Sequence, residues 1–213
     1  MVDRDSCWYH IDTGKQKVAM NVKVSEVYAE AIKSLVDCIP DSENTLIDLG
    51  CGTGKASKML QKYDYTGADL PDMIDDISKQ INPGLKFIKC DIIEDDISFI
   101  SEYDIIYMDA LIDIMQYPLE VLNKVLDKCS KYVLLIRQEI VDGETNVIQN
   151  PAYIGFTYHA EVGRDNFNNI LARHNVSIVK EVDAGIGIWK NTKKQIKYPG
   201  KWRSFLLLKD GGQ

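Results

Sequence analysis

The sequence predicts an α/β fold of three layers, with helices on both faces of a mostly parallel seven-stranded sheet that ends in an antiparallel hairpin. Three observations predict it. Short apolar runs of strand length alternate with segments of helical period, a glycine-rich turn follows the first run directly, and the last two runs follow each other with no helix between them.

Val24, Val27, Tyr28, Ala31, Ile32, Leu35, Val36 and Ile39 repeat at helical spacing, and Pro40 ends the helix. Runs at Thr45 to Leu49, Tyr65 to Ala68, Leu85 to Cys90, Asp104 to Met108 and Tyr132 to Ile136 have the length and unbroken apolarity of strands buried on both faces. Helical patterns separate them: Ala56, Met59, Leu60 and Tyr63; then Met73, Ile74, Ile77 and Ile81; then Val121, Leu122, Val125 and Leu126 behind Pro118, a residue suited to a first helical turn. Residues 138–162 contain Gly143, Pro151 and Gly155, hold no sustained period, and are expected to form a lid or substrate loop before a helix carrying Phe167, Ile170 and Leu171. Two final strands, Val176 to Val182 and Trp202 to Leu208, are joined by a Gly- and Lys-rich segment that suits a hairpin. With 213 residues, one sizeable core and one domain are expected.

Composition narrows the function classes. Acidic residues outnumber basic ones 32 to 25, so the chain lacks the positive field with which most nucleic-acid binders neutralise phosphates. Five scattered cysteines without a CxxC pair, and three histidines, signal neither a disulfide framework nor a zinc site. The chain begins without an apolar stretch of signal-peptide length and holds no apolar run long enough to span a bilayer, so a soluble, cytoplasmic protein with reduced thiols is expected.

The first strand runs into Gly50-Cys51-Gly52-Thr53-Gly54, where the backbone must turn sharply and approach a ligand closely. A P-loop would need a glycine where Leu49 stands and Ser or Thr where Ala56 stands; a dinucleotide fingerprint would need glycine at Lys55. GxGxG remains. Asp69 closes the second strand about twenty residues after the first glycine, where a carboxylate on a nucleoside ribose is expected. Asp91 closes the third strand and Asp109 the fourth, which lines acidic residues along the carboxyl edge where open α/β sheets bind ligands. Each aspartate alone is as readily a helix cap.

Over residues 20–137, and more loosely to the end, these features resemble the class I S-adenosylmethionine-dependent methyltransferases, whose domain is Rossmann-like. The resemblance implies S-adenosyl-L-methionine as cofactor. It implies that Asp48 organises the loop around the methionine part, that Gly50, Cys51, Gly52 and Gly54 approach the cofactor, and that Asp69, with Leu70 beside it, holds the ribose. Asp91 and Ile92 would flank the adenine, and Met108 and Asp109 would lie beneath the sulfonium centre. Residues 1–213 then divide into an N-terminal arm and helix (1–40), a cofactor-binding half (45–137), and a substrate loop, helix and final hairpin (138–213). Asp109-Ala-Leu-Ile stands where an Asn/Asp-Pro-Pro-Tyr/Phe signature would mark adenine-N6 methylation, which argues against that activity.

Methyl transfer from a sulfonium needs an aligned acceptor and, for an oxygen nucleophile, a proton acceptor. His159 is the first candidate base because imidazole titrates near neutrality and its segment lies in the expected lid. Asp109 is the second. Arg137 and Glu139 could orient an acceptor, although a solvated or paired surface role suits them better. From Ala184 to Lys209 there is no acidic residue and there are seven cations, Lys190, Lys193, Lys194, Lys197, Lys201, Arg203 and Lys209, which could attract an anionic acceptor or could blunt a sheet edge. Cys7-Trp8-Tyr9-His10 could cover the site. The expected function is methyl transfer to oxygen or nitrogen of a small molecule or saccharide, without metal or membrane; a non-catalytic cofactor-binding scaffold and an RNA or protein methyltransferase are the alternatives. The oligomeric state is not legible.

Overall fold

The structure is a computed structural model that describes residues 26–151, 156–190 and 197–211. In chain order the elements are α1 (Glu26–Val36), β1 (Thr45–Leu49), β2 (Asp64–Asp69), the helical segment α2 (Pro71–Met73, Ile74–Ser78 as a π turn, Lys79–Ile81), β3 (Lys86–Lys89), β4 (Ile105–Asp109), α3 (Pro118–Lys128), β5 (Tyr132–Val141), β6 (Asn146–Pro151), β7 (Phe156–Gly163), α4 (Arg164–Arg173), β8 (Val176–Lys190) and β9 (Lys197–Lys209). β1 to β5 are parallel in the order β3-β2-β1-β4-β5, and β9 returns antiparallel along β5 with β8 beyond it. These seven strands are the sheet expected. Strand order reverses between β1 and β4, which opens a crevice at their carboxyl ends.

Side chains alternate across β1, β2, β4, β5 and β9 and sort into two apolar layers. Leu46, Tyr65, Ile105, Tyr107, Leu134, Ile136 and Leu206 pack with Ile32, Leu35 and Val36 of α1 and with Ile39 just after it. Ile47, Leu49, Ile106, Met108, Val133, Leu135, Phe205 and Leu207 pack with Val121, Leu122, Val125 and Leu126 of α3 and Phe167, Ile170 and Leu171 of α4. No helix among the described residues is long and apolar enough to cross a membrane.

Two expectations are corrected. The pattern Ala56, Met59, Leu60 and Tyr63 buries Ala56, Leu60 and Tyr63, but the only helix there is a single 3-10 turn, Lys55–Lys58. The chain must travel back along β1, about 17 Å for five residues, and an α-helix over residues 55–63 would advance only about 13 Å. The tighter, faster-rising 3-10 geometry and an irregular tail cover the difference. Residues 138–162 are also not a loop: β5 continues to Val141, and β6 and β7 form an antiparallel ribbon whose end pairs with β5 in parallel at Ile140–Val162 and Val141–Gly163. The alternation was masked because Tyr158, His159 and Ala160 are buried in succession. The final hairpin is longer than expected, reaching Lys190 and Lys197.

Candidate functional site

At the end of β1 the chain turns through Gly50, Gly52 and Gly54, whose φ angles are +71°, +54° and +76°. Gly50 is favoured by its left-handed backbone, and a Cβ there would lie 2.7 Å from Leu111 Cδ1 in the segment after β4, so that this side chain would have to shift. The turn directs its amides inward. Gly50 and Cys51 donate to Ala68 O at 2.8 and 3.1 Å, and Gly52 donates to Asp69 Oδ2 at 2.7 Å. Ser78 Oγ donates to Gly52 O and Asn82 Nδ2 to Thr53 O, both at 2.6 Å. With these amides committed and no α-helix behind them, the turn lacks both parts of a phosphate site. A ligand would meet glycine Cα atoms and carbonyl oxygens instead.

Three carboxylates surround this turn on adjacent strands. Asp48, 2% exposed, accepts a hydrogen bond from Tyr65 Oη. Burial pushes its carboxyl well up, the Tyr65 hydroxyl opposes this, and the charges of Asp109 and Asp69 add to it. Asp69 is pushed up to about 6 by burial, against the amides of Gly52 and Leu70, the latter donating at 2.7 Å. Asp109 accepts from Arg137 Nε on Oδ1 at 2.6 Å and from Tyr28 Oη on Oδ2. The Tyr28 hydroxyl also lies 3.2 Å from that of Tyr107, and the Arg137 guanidinium sits 5.0 Å from the Tyr28 ring centroid and 5.5 Å from that of Trp202. Both oxygens of Asp109 are thus engaged, one by a guanidinium and one by a phenol.

Backbone strain gathers at the same place. Ala110, just after β4, and Arg137, midway along β5, have φ of +50° and +54°, and the Ala110 amide donates to Ile136 O at 2.9 Å. The β5–β9 register shifts between Leu135 and Gln138, a bulge that turns Arg137 toward Asp109 while its amide donates to Ser204 Oγ at 3.1 Å. Arg137 is partly exposed and paired, as expected, but its partner is Asp109 of the edge; Glu139 is corrected from a surface residue to a buried one, 8% exposed.

The third strand's end behaves differently. Asp91 Oδ1 caps the following turn, accepting from the amides of Ile93 and Glu94 at 3.0 and 3.4 Å. Lys124 of α3 grips this turn by the carbonyls of Ile92, Ile93 and Asp95 at 3.0, 3.0 and 2.6 Å. Ile92 packs against the core. Met108 is fully buried on the α3–α4 face, opposite to Asp109, so its side chain does not share that carboxylate's surroundings.

His159 lies on β7 and is 7% exposed, with Nε2 3.2 Å from Glu139 Oε2. The bond to Glu139 holds the imidazole above its usual range, while burial works the other way. Asp113, in the turn after β4, is 1% exposed and is pushed up to about 7 by burial, against the attraction of Arg137 and His159. Sequence reasoning missed Asp113, Tyr28, Tyr65, Ser78 and Lys124 as site residues. For Asp113 there was a signal, an acid standing inside the apolar run Leu111-Ile112 to Ile114-Met115; the others needed the fold.

The basic hairpin is partly spent on structure. Arg203 lies 3.6 Å from Glu181 and 3.3 Å from Asp183, and Lys209 donates to Leu126 O and Asp127 O at 2.9 and 3.2 Å. Lys193, Lys194 and the Cys7-Trp8-Tyr9-His10 cluster lie outside the described residues, as do the side chains of Lys190, Lys197 and Lys201.

Solved structures share this architecture. The mitomycin 7-O-methyltransferase MmcR superposes with a TM-score of 0.61 at 14% identity over 96% of this chain, which covers 60% of that longer protein. The SAH-bound magnesium protoporphyrin IX methyltransferase ChlM of Synechocystis PCC 6803 gives 0.59 at 13% identity over 95% and 96% of the two chains. CalS10, an amino pentose methyltransferase of Micromonospora echinaspora with SAM bound, gives 0.58 at 12% identity over 94% and 98%. No curated protein matches in sequence. The model of the family described as methionine biosynthesis protein MetW matches residues 30–136, from within α1 through β1 to β4 and into β5. Since that match takes in just over half of the chain and all of the glycine turn, the protein belongs to the MetW family, on the fold of the class I S-adenosylmethionine-dependent methyltransferases.

Proposed function

We propose that the protein is an S-adenosylmethionine-dependent methyltransferase acting on oxygen or nitrogen of a small molecule or saccharide. The observation that carries this reading is the carboxylate edge: Asp48, Asp69 and Asp109 gather around a turn whose amides are already bonded, and the charges of Asp109 and Asp69 help hold the buried Asp48 carboxyl up. Such an edge repels phosphates and favours a cation, and S-adenosylmethionine brings both a sulfonium and an ammonium. Asp69 would accept the ribose hydroxyls, Asp91 and Ile92 would border the adenine, and Asp48, Gly50, Cys51, Gly52 and Gly54 would shape the methionine end.

Asp109, held by Arg137 and Tyr28, acts in this reading as a fixed charge near the sulfonium. The acceptor lies toward Glu139 and His159, which engage its O–H or N–H while the protein aligns it with the methyl group. The strained Ala110 and Arg137 between the two sets support a site that is held in place rather than relaxed. The acceptors named for MmcR, ChlM and CalS10 are a mitomycin, a porphyrin and an amino pentose, and support a small-molecule class. Incubation with S-adenosylmethionine carrying a labelled methyl group and fractionated cell extract tests the acceptor: label should enter small molecules or glycans, and label found only in RNA or protein would overturn that part.

A further inference from the structure

Glu139 and Glu161 stand next to the paired residues Ile140 and Val162 on the parallel strands β5 and β7, so the ladder sets two carboxylates side by side. His159, two residues before Glu161, shares its face of β7. Each of the three offers a ligand atom within 4.8 Å of the others. Like charges across a ladder destabilise it unless a cation intervenes, and the Arg137 guanidinium is bonded to Asp109 instead. Asp113 supplies an independent observation. It is 1% exposed, neither of its carboxylate oxygens has a hydrogen-bond partner among the described residues, and the turn that carries it packs against β7.

We propose that Glu139, His159 and Glu161 bind a divalent metal ion, with Asp113 as the carboxylate that completes or faces its coordination shell. Donors held at about 2.1 Å from one ion lie about 3 to 4 Å apart, and His159 Nε2 and Glu139 Oε2 already stand at 3.2 Å. Only a small closure of Glu161 is needed, from its 3.4 Å contact with Asn146 Nδ2. One imidazole with carboxylates and no thiolate suits Mn²⁺, Fe²⁺, Co²⁺ or Zn²⁺ rather than a thiophilic ion. An ion on Nε2 would make the imidazole a ligand, so His159 would engage an acceptor through the metal instead of as a proton acceptor. Ion binding is read here without cofactor and does not depend on methyl transfer.

The test uses untagged, chelator-treated protein titrated with MnCl₂ and with ZnCl₂, followed by calorimetry and, for manganese, by loss of the paramagnetic signal of the free ion. One ion should bind per chain and raise the unfolding temperature. His159→Ala and Glu161→Gln should each weaken binding by about tenfold or more, while Asp75→Asn, on a distant exposed pair, leaves it unchanged. Glu161 is only partly buried, so Glu161→Gln remains informative if His159→Ala does not fold. No saturable binding of either metal, or binding equally tight in Glu161→Gln, overturns the proposal. A parallel titration with S-adenosylmethionine shows whether the methyltransferase reading stands or falls separately.

Discussion

The glycine turn after β1 and the ribbon β6–β7 both border the carboxyl edge of the sheet, but they handle polar groups in opposite ways. In the turn, amides and carbonyls are bonded within a few neighbouring elements, to Ala68, Asp69, Ser78 and Asn82. Beside the ribbon, Asp113 has no hydrogen-bonded partner among the described residues, and Glu139 faces His159 across strands. A self-satisfied turn is a rigid wall that a ligand fits against. An under-satisfied cluster gains from whatever enters it, whether ion or acceptor. The two regions are joined by Asp109, Arg137 and Tyr28, which fix one charge between them.

The sharpest way to break the wall is Gly50→Val. The left-handed φ and the approach of Leu111 should together cost roughly 2 to 4 kcal/mol in urea denaturation, and cofactor binding should be lost in calorimetry. Full affinity with unchanged stability would mean that the turn is more plastic than its bonds imply.

Arg137 tests the junction. Replacing it by alanine strands Asp109 and should destabilise by about 2 kcal/mol, with loss of methyl transfer. Arg137→Gly removes the same guanidinium but relieves the +54° backbone, so it should be about 1 kcal/mol more stable than Arg137→Ala and equally inactive. Equal stability of the two variants would contradict the strain.

Asp69 distinguishes binding from stability by pH. Its folded value of about 6 lies above the ordinary carboxylate range because of burial. The native state therefore holds a proton more readily than the unfolded chain, and the associated stability, full below the unfolded value near 4, is lost as pH rises through about 6. Cofactor affinity should run the other way, weakening as the pH falls below about 6, because protonation removes an acceptor for ribose hydroxyls. Asp69→Asn should weaken binding by about tenfold or more and flatten both profiles between pH 4 and 7. The smallest effect is expected away from both regions: Lys86→Ala opens an exposed pair with Asp64, 2.7 Å apart, and should change stability by no more than about 0.5 kcal/mol.

These regions also differ in how far they were legible in the sequence. β1 to β5 could be read because each is a short run of uninterrupted apolar residues, and the glycine motif because its spacing excludes competing nucleotide turns. α2 and α3 announced themselves by period. The helix after the motif did not form because the distance back along β1 overruled the local pattern of Ala56, Leu60 and Tyr63. The ribbon stayed hidden because its strands bury successive residues around a polar cluster and so lack alternation. Asp113, Glu139, His159 and Glu161 come from three separated stretches, and no spacing rule brings them together. Asp91 was visible, but only the fold shows one of its oxygens capping a turn.

The central claim is that the carboxylate edge around the glycine turn receives S-adenosylmethionine. Isothermal titration of the folded, unmodified chain with S-adenosylmethionine and with NAD⁺ tests it most directly. The account predicts saturable binding of one S-adenosylmethionine per chain and no binding of the pyrophosphate-bearing dinucleotide. Absence of heat with S-adenosylmethionine, or tighter binding of NAD⁺, in protein that retains its cooperative unfolding would contradict it.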